Sequence, residues 1–225
     1  MGRLLSIVTP LHRRTARDHL ARMVDDKVHC MRKAREYEFD YWDGDRRYGY
    51  GGYRYDGRWK VVAESLIATY GLGPEARILD VGCGSDSPIR ATEGMDVFPE
   101  ALEKARRLRS HRRWVAARAP RLPFRSGSFD AVVALDVVEH LVRRDGETLV
   151  REMERIARER VVVFTPNGFL AQGPLGGNPY QIHRSGWNSS DFSRRGYRIV
   201  GINGIRGLRG EAADLRWRPK RLWRS

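Results

Sequence analysis

Residues 78–84, Ile-Leu-Asp-Val-Gly-Cys-Gly, read as an apolar strand running directly into a glycine turn. Two later runs, Phe129–Asp136 (FDAVVALD) and Arg160–Thr165 (RVVVFT), are also apolar on both faces, as strands must be when helices cover both sides of their sheet. Pro99–Arg109 and Glu147–Ala157 read as helices, and Trp59–Tyr70 is a helix that Gly71 and Gly73 stop. Strands alternating with helices predict an α/β, Rossmann-like doubly wound domain with a mainly parallel sheet.

The same turn narrows the ligand. Ligands of open α/β sheets bind at the carboxyl ends of strands, and Gly82 and Gly84 let the backbone approach where a Cβ would block it. The sequence VGCGSDSPI lacks the third glycine of the dinucleotide fingerprint and the Gly-Lys-Ser/Thr ending of a P-loop. What remains is a ligand with a ribose but no pyrophosphate to cradle, and S-adenosyl-L-methionine is the common one.

The chain has 225 residues, enough for one domain with a substantial core. Its 41% hydrophobic and 10% aromatic content excludes a disordered chain. No apolar run approaches the ~18 residues of a membrane-spanning helix. Two cysteines, Cys30 and Cys83, cannot build a disulfide scaffold, so a soluble, cytoplasmic protein is expected. The net charge of +14 points towards anionic partners, but five of the 42 basic residues are Lys and the rest Arg. GC-rich coding produces the same skew, so the charge has two readings.

Three parts are expected. Residues 1–58 hold an amphipathic helix over 15–38, with Leu20, Met23, Val24, Val28 and Met31 on one face, then an aromatic, Gly-rich stretch over 41–59. That stretch reads as a lid over substrate, a stacking surface for single-stranded nucleic acid, or an irregular segment held by its rings. Residues 59–211 are the α/β domain, and 212–225 a basic tail.

Four segments resemble class I S-adenosylmethionine-dependent methyltransferases of the type 11 kind: ILDVGCG at 78–84, MDVFPEALEKAR at 95–106, LPFRSGSFDAVVALDVVEHL at 122–141 and VVVFTPNG at 161–168. GNPYQIHRSGW at 177–187, GYRIVGINGIRGLRGE at 196–211 and the aromatic stretch are similar to a bacterial subgroup of uncertain substrate. The resemblance implies a cofactor site of Asp80, Val81, Gly82, Cys83, Gly84, Asp96, Val97, Ala119 and Leu135. Asp96 would hold the ribose diol, which two acceptor oxygens suit. The implied reaction is methyl transfer to a small-molecule or cell-envelope-type acceptor. Asp136, His140 and His183 are the candidate catalytic groups, the histidines because their ordinary pKa lies near neutrality. Glu139-His140 reads equally as a helix start, His183 as a surface loop residue and Asn167 as a turn residue. No metal site is expected, because His12, His19, His29 and His111 lack zinc-ligand spacing with Cys30 or one another.

Two departures bear on the cofactor. Only 11 residues separate Gly84 from Asp96, room for about one helical turn, with Ser87 as N-cap, Pro88 as first residue and Gly94 as stop. Arg118 stands where the family often has an adenine-binding acid, and a guanidinium cannot accept a hydrogen bond. Lys104, Arg106, Arg107, Arg109, Arg112, Arg113, Arg118, Arg121 and Arg125 crowd one stretch, and residues 216–224 form a second basic patch. They motivate the rival expectation, a methyltransferase-fold protein with weakened cofactor binding that holds RNA or an anionic membrane surface, or an RNA methyltransferase.

Overall fold

The structure is a computed structural model that describes residues 3–4, 28–29, 58–84, 92–109, 111–172 and 179–201. Five strands form one parallel sheet: β1 (Ile78–Val81), β2 (Thr92–Asp96), β3 (Arg113–Ala116), β4 (Phe129–Leu135) and β5 (Ala157–Phe164). Their spatial order is β3-β2-β1-β4-β5, which reverses direction at β1 as a doubly wound sheet does. The helices are α1 (Arg58–Tyr70), α2 (Pro99–Leu108), α3 (Arg143–Ile156) and a short α4 (Ser189–Ser193). Arg3–Leu4 and Val200–Gly201 pair as a separate parallel ladder. The α/β expectation holds.

Alternation along the strands explains both apolar faces. Leu79, Val81, Val132 and Ala134 share a core with Leu149, Val150, Met153 and Ile156 of α3, whereas Ile78, Ala131 and Val133 form a second cluster with Leu72, Ala76 and Val162. Each fully buried side chain of Leu, Val or Met size contributes about 1.5–3 kcal/mol, so α3 with four such residues is a principal anchor. It starts at Arg143, four residues before the sequence pattern shows it, because its first turn is polar.

The expected one-turn helix ending at Gly94 is corrected in part. Gly94 lies in the middle of β2, paired with Asp80 of β1; Ser87 and Pro88 lie outside the described residues. A glycine is required there for space. A Cβ on it would stand 2.5 Å from His111 Cδ2 and 2.8 Å from Cys83 Sγ. His111 is itself buried, bonds through Nδ1 to the Thr92 hydroxyl, and has no partner for Nε2 among the described residues.

Of the amphipathic helix over 15–38, Val28 and His29 are described; both are helical, and Val28 is exposed. The rest of that helix, residues 41–57 and the tail 212–225 lie outside the described residues. Among those described, no helix is long and apolar enough to cross a membrane.

Burial holds His111 down to about 4, against an ordinary 6.5. Between those values the unfolded chain takes up a proton that the folded chain refuses, so stability is complete above pH 6.5 and falls towards pH 4. A shift of that size corresponds to about 3 kcal/mol. Urea unfolding at pH 7 and pH 4 is expected to show wild type losing about that much more than His111→Leu; equal losses would refute the assignment.

Candidate functional site at the carboxyl ends of the strands

The glycine turn after β1 curls back over the end of β2. The Gly82 and Cys83 amides both donate to the Met95 carbonyl, at 2.7 and 3.1 Å. Gly82 has φ +72°, and a Cβ there would meet Val137 Cγ2 at 2.6 Å, so the turn presses close against the segment after β4. Asp96 closes the loop. Its Oδ2 accepts from the Gly84 amide at 2.8 Å and its Oδ1 from the Phe98 amide at 3.0 Å. Burial pushes the Asp96 carboxyl up, while the amides of Phe98, Gly84 and Val97 pull it back. Cys83 is buried, and burial, with Asp80 and Asp96 nearby, drives its thiol far above the ordinary value. It is a packing residue, not a nucleophile.

Beyond Asp96 an aromatic rim begins. The Phe98 and Tyr180 rings meet edge to face at 5.1 Å, and the Arg118 guanidinium lies 5.8 Å from the Tyr180 ring centre. Ala119 is half-buried beside Arg118. Sequence reasoning missed Phe98 and Tyr180; the signal for Phe98 was its place two residues after Asp96, whereas nothing local marked Tyr180.

The second half of the site follows β4. Leu135 ends the strand, and Asp136 takes a left-handed φ of +54°, which Asp tolerates better than most residues. This turn leads into one 3₁₀ turn, Val138–His140, separate from α3. The chain returns over it much later: the Arg184 and Ser185 amides both donate to the Glu139 carbonyl, at 2.7 and 3.1 Å. Trp187 secures the return. Its ring packs under the Arg143 guanidinium, 4.0 Å from Cζ to ring centre, and Arg143 also binds the Gly186 carbonyl and Asp191. Together Arg143, the Asn188 amide and Arg194 hold Asp191 down to about 2.

Folding thereby brings together residues 43 positions apart. The His140 and His183 rings lie 4.8 Å apart, edge to face, so His183 is a site residue and buried, not a surface loop residue. Burial first, and then the neighbouring His183, holds His140 down to about 4, against the carbonyls of Ile182 and Gln181. Glu139 is 2% exposed. Its Oε2 accepts from the Thr165 hydroxyl at 3.0 Å; its Oε1 has no donor among the described residues. Asp136 is its neighbour, and burial first and then the Asp136 charge push the Glu139 carboxyl up. Asp136 is walled in on most sides, which pushes it up as well, yet its surface stays open as that of a cleft residue does. Asn167 pairs with Trp187 in an isolated bridge, which favours its turn reading.

A model of the family described as "Methyltransferase domain" matches residues 79–165. The match spans β1 to the end of β5 and includes the glycine turn, Asp96, Asp136 and Glu139. Over those residues the chain is similar to a methyltransferase domain. An uncharacterized protein of Mycobacterium tuberculosis is 29% identical over 190 residues, 72% of this chain and 65% of its own. The chain thus spans about two thirds of the length of the curated relatives it first matches. Among solved structures, the YcgJ protein of Bacillus subtilis shares 21% identity at a TM-score of 0.45, covering 58% of this chain and 64% of its own. A SAM-dependent methyltransferase from Aquifex aeolicus shares 16% at 0.39, covering 51% and 70%.

Of the expected cofactor residues, Asp80, Val81, Asp96 and Leu135 lie towards the carboxyl ends of their strands and Val97 follows Asp96. Thr165→Val would leave Glu139 Oε2 buried without its donor. A loss of about 1–3 kcal/mol in urea-unfolding free energy is expected; an unchanged value would show that Glu139 does not depend on that hydroxyl.

Proposed function

We propose that the protein is an S-adenosyl-L-methionine-dependent methyltransferase whose acceptor enters over Asp136, His140 and His183. The observation that carries this reading is Asp96, a buried carboxylate fastened by two amides at the end of β2. Each of its oxygens retains acceptor capacity, which suits the vicinal hydroxyls of a ribose. The close turn at Gly82–Gly84 suits a ligand lying along the backbone, and Phe98 with Tyr180 offers flat faces for a purine where Arg118 offers no acceptor.

When bound, the cofactor supplies a methyl group on a sulfonium, already a good leaving group. The chain's part is therefore positioning and exclusion of water. Leu135 and Asp136, at the switch between the two halves of the sheet, would flank the reacting methyl. Asp136 faces the cleft as an acceptor, able to orient a hydroxyl or amine. His140 is held near 4, about 12 powers of ten too weak to deprotonate a hydroxyl with the acidity of water, pKa ~15.7. It supports binding better than base catalysis.

Isothermal titration with S-adenosylmethionine is expected to show one site per chain, and no binding at millimolar ligand would overturn the proposal. Asp96→Ala, folded by circular dichroism, should bind ~10–100-fold more weakly, the loss of one to two charge-assisted hydrogen bonds.

A second reading rests on the surface. Arg106, Arg107, Arg109, Arg112, Arg113, Arg118, Arg121 and Arg125 are all exposed, and of these Arg106 and Arg107 meet a carboxylate, that of Glu103, at 3.4 Å. Such a face suits a polyanion, and we propose that it holds RNA. Filter binding should give an affinity for single-stranded RNA that falls steeply between 50 and 200 mM salt. Charge reversal of Arg112, Arg113 and Arg121 should abolish it, and salt-independent binding would refute this reading.

A further inference from the structure

Glu139, His140 and His183 each bring a possible ligand atom to within 4.8 Å of the others. Nothing in the methyl-transfer reading requires that convergence. The two imidazoles are fixed in matching ways. Nδ1 of His183 lies 2.7 Å from the Leu170 carbonyl and Nδ1 of His140 lies 3.3 Å from the Ile182 carbonyl. A carbonyl only accepts, so each Nδ1 donates, and Nε2 is the ring nitrogen left for another partner. Glu139 presents Oε1, buried and without a donor among the described residues, on a carboxyl group oriented through its other oxygen by Thr165.

Two imidazoles and a carboxyl group with one buried oxygen lacking a donor thus hold their ligand atoms within 4.8 Å of one another. A cation would partner all three together. The outer contacts are also those of metal ligands, whose second ring nitrogen donates to a backbone carbonyl and whose carboxylate is hydrogen-bonded in turn. We propose that Glu139, His140 and His183 bind one divalent transition-metal ion of the zinc class, which holds the acceptor through a hydroxyl oxygen. Two nitrogens and one oxygen suit zinc, cobalt, iron(II) or manganese better than calcium or magnesium, which prefer oxygens alone. Three protein ligands leave open positions for substrate.

The ion supplies what His140 cannot. An oxygen bound to it becomes far more acidic, as metal-bound water does. The acceptor hydroxyl releases its proton to solvent past the open Asp136 carboxylate. The oxygen then forms its bond to the methyl carbon as the carbon–sulfur bond breaks, and that electron pair stays on the departing thioether. The acceptor is thus an alcohol or phenol. This second step rests on the methyltransferase reading; metal binding does not, and the two fail separately.

The test titrates chelator-treated full-length protein with Zn²⁺ calorimetrically, and with Co²⁺ by visible absorption. One ion per chain is expected. His183→Ala and Glu139→Gln should each weaken binding more than tenfold while S-adenosylmethionine affinity changes less than threefold. Asp96→Ala should do the reverse. Absence of Zn²⁺ binding at millimolar metal, or binding indifferent to both substitutions, would overturn the site. Should either variant misfold, the ¹⁵N resonances of the wild-type imidazoles decide. Zn²⁺ must shift the Nε2 signals of His140 and His183, and unmoved signals would overturn the proposal. Metal binding without S-adenosylmethionine binding would leave the site standing and remove the methyltransferase reading.

Discussion

A single residue, Glu139, joins the end of β4 to two distant parts of the chain. Its carbonyl accepts the Arg184 and Ser185 amides, and its carboxylate accepts the Thr165 hydroxyl from the end of β5. The first contact brings His183 over the sheet; the second sets the orientation of a buried acid. Burying such a group costs several kcal/mol unless it is bonded or neutral. The structure meets that cost in part, through the Thr165 hydroxyl on Oε2, and leaves Oε1 without a donor among the described residues. A change at Glu139 therefore acts on the site and the return segment together.

The cofactor half follows a different logic. Asp96 is held by backbone amides, whose positions the strand and the turn dictate. Backbone donors do not depend on side-chain identity, which is why this half tolerates an unusual strand such as Thr-Glu-Gly-Met-Asp. Ten residues between Val81 and Thr92 cross from β1 to β2. Gly94 lets His111 and Cys83 lie flat against β2 in the space a side chain would take.

Half of this was legible in the sequence, and physics separates the halves. The apolar runs ILDV, FDAVVAL and RVVVF are continuous, so periodicity alone marks them as covered strands, and α2 was legible from its opening proline. Asp80, Gly82, Gly84 and Asp96 sit at strand ends that the pattern locates within a residue. Gly94 was misread as a helix stop because glycine punctuates turns far more often than it makes room in a strand. Glu139, His140 and His183 were not legible as one cluster. Metal-ligand spacing is a local signal, and His183 arrives only through the hydrogen bonds to the Glu139 carbonyl and the Arg143–Trp187 contact. Tyr180 reaches Phe98 by the same return.

Asp136 stands where the two halves meet. Its left-handed backbone ends β4 abruptly, turning the chain aside before Val137 packs on Gly82. The side chain is exposed and neighbours Glu139, while Val137 after it packs against the glycine turn. Any ligand that fills the cleft removes water from Asp136 and strengthens its interactions with both halves, because the same charges interact more strongly in a lower dielectric. In the proposed reaction, an acceptor hydroxyl brought in at that point would meet a fixed acceptor, the proposed ion and the methyl donor together. None of the three depends on a flexible side chain: Asp136 is set by backbone strain, the imidazoles by carbonyls, and Asp96 by amides. Rigid placement of this kind is what lets weak individual groups favour an in-line transfer.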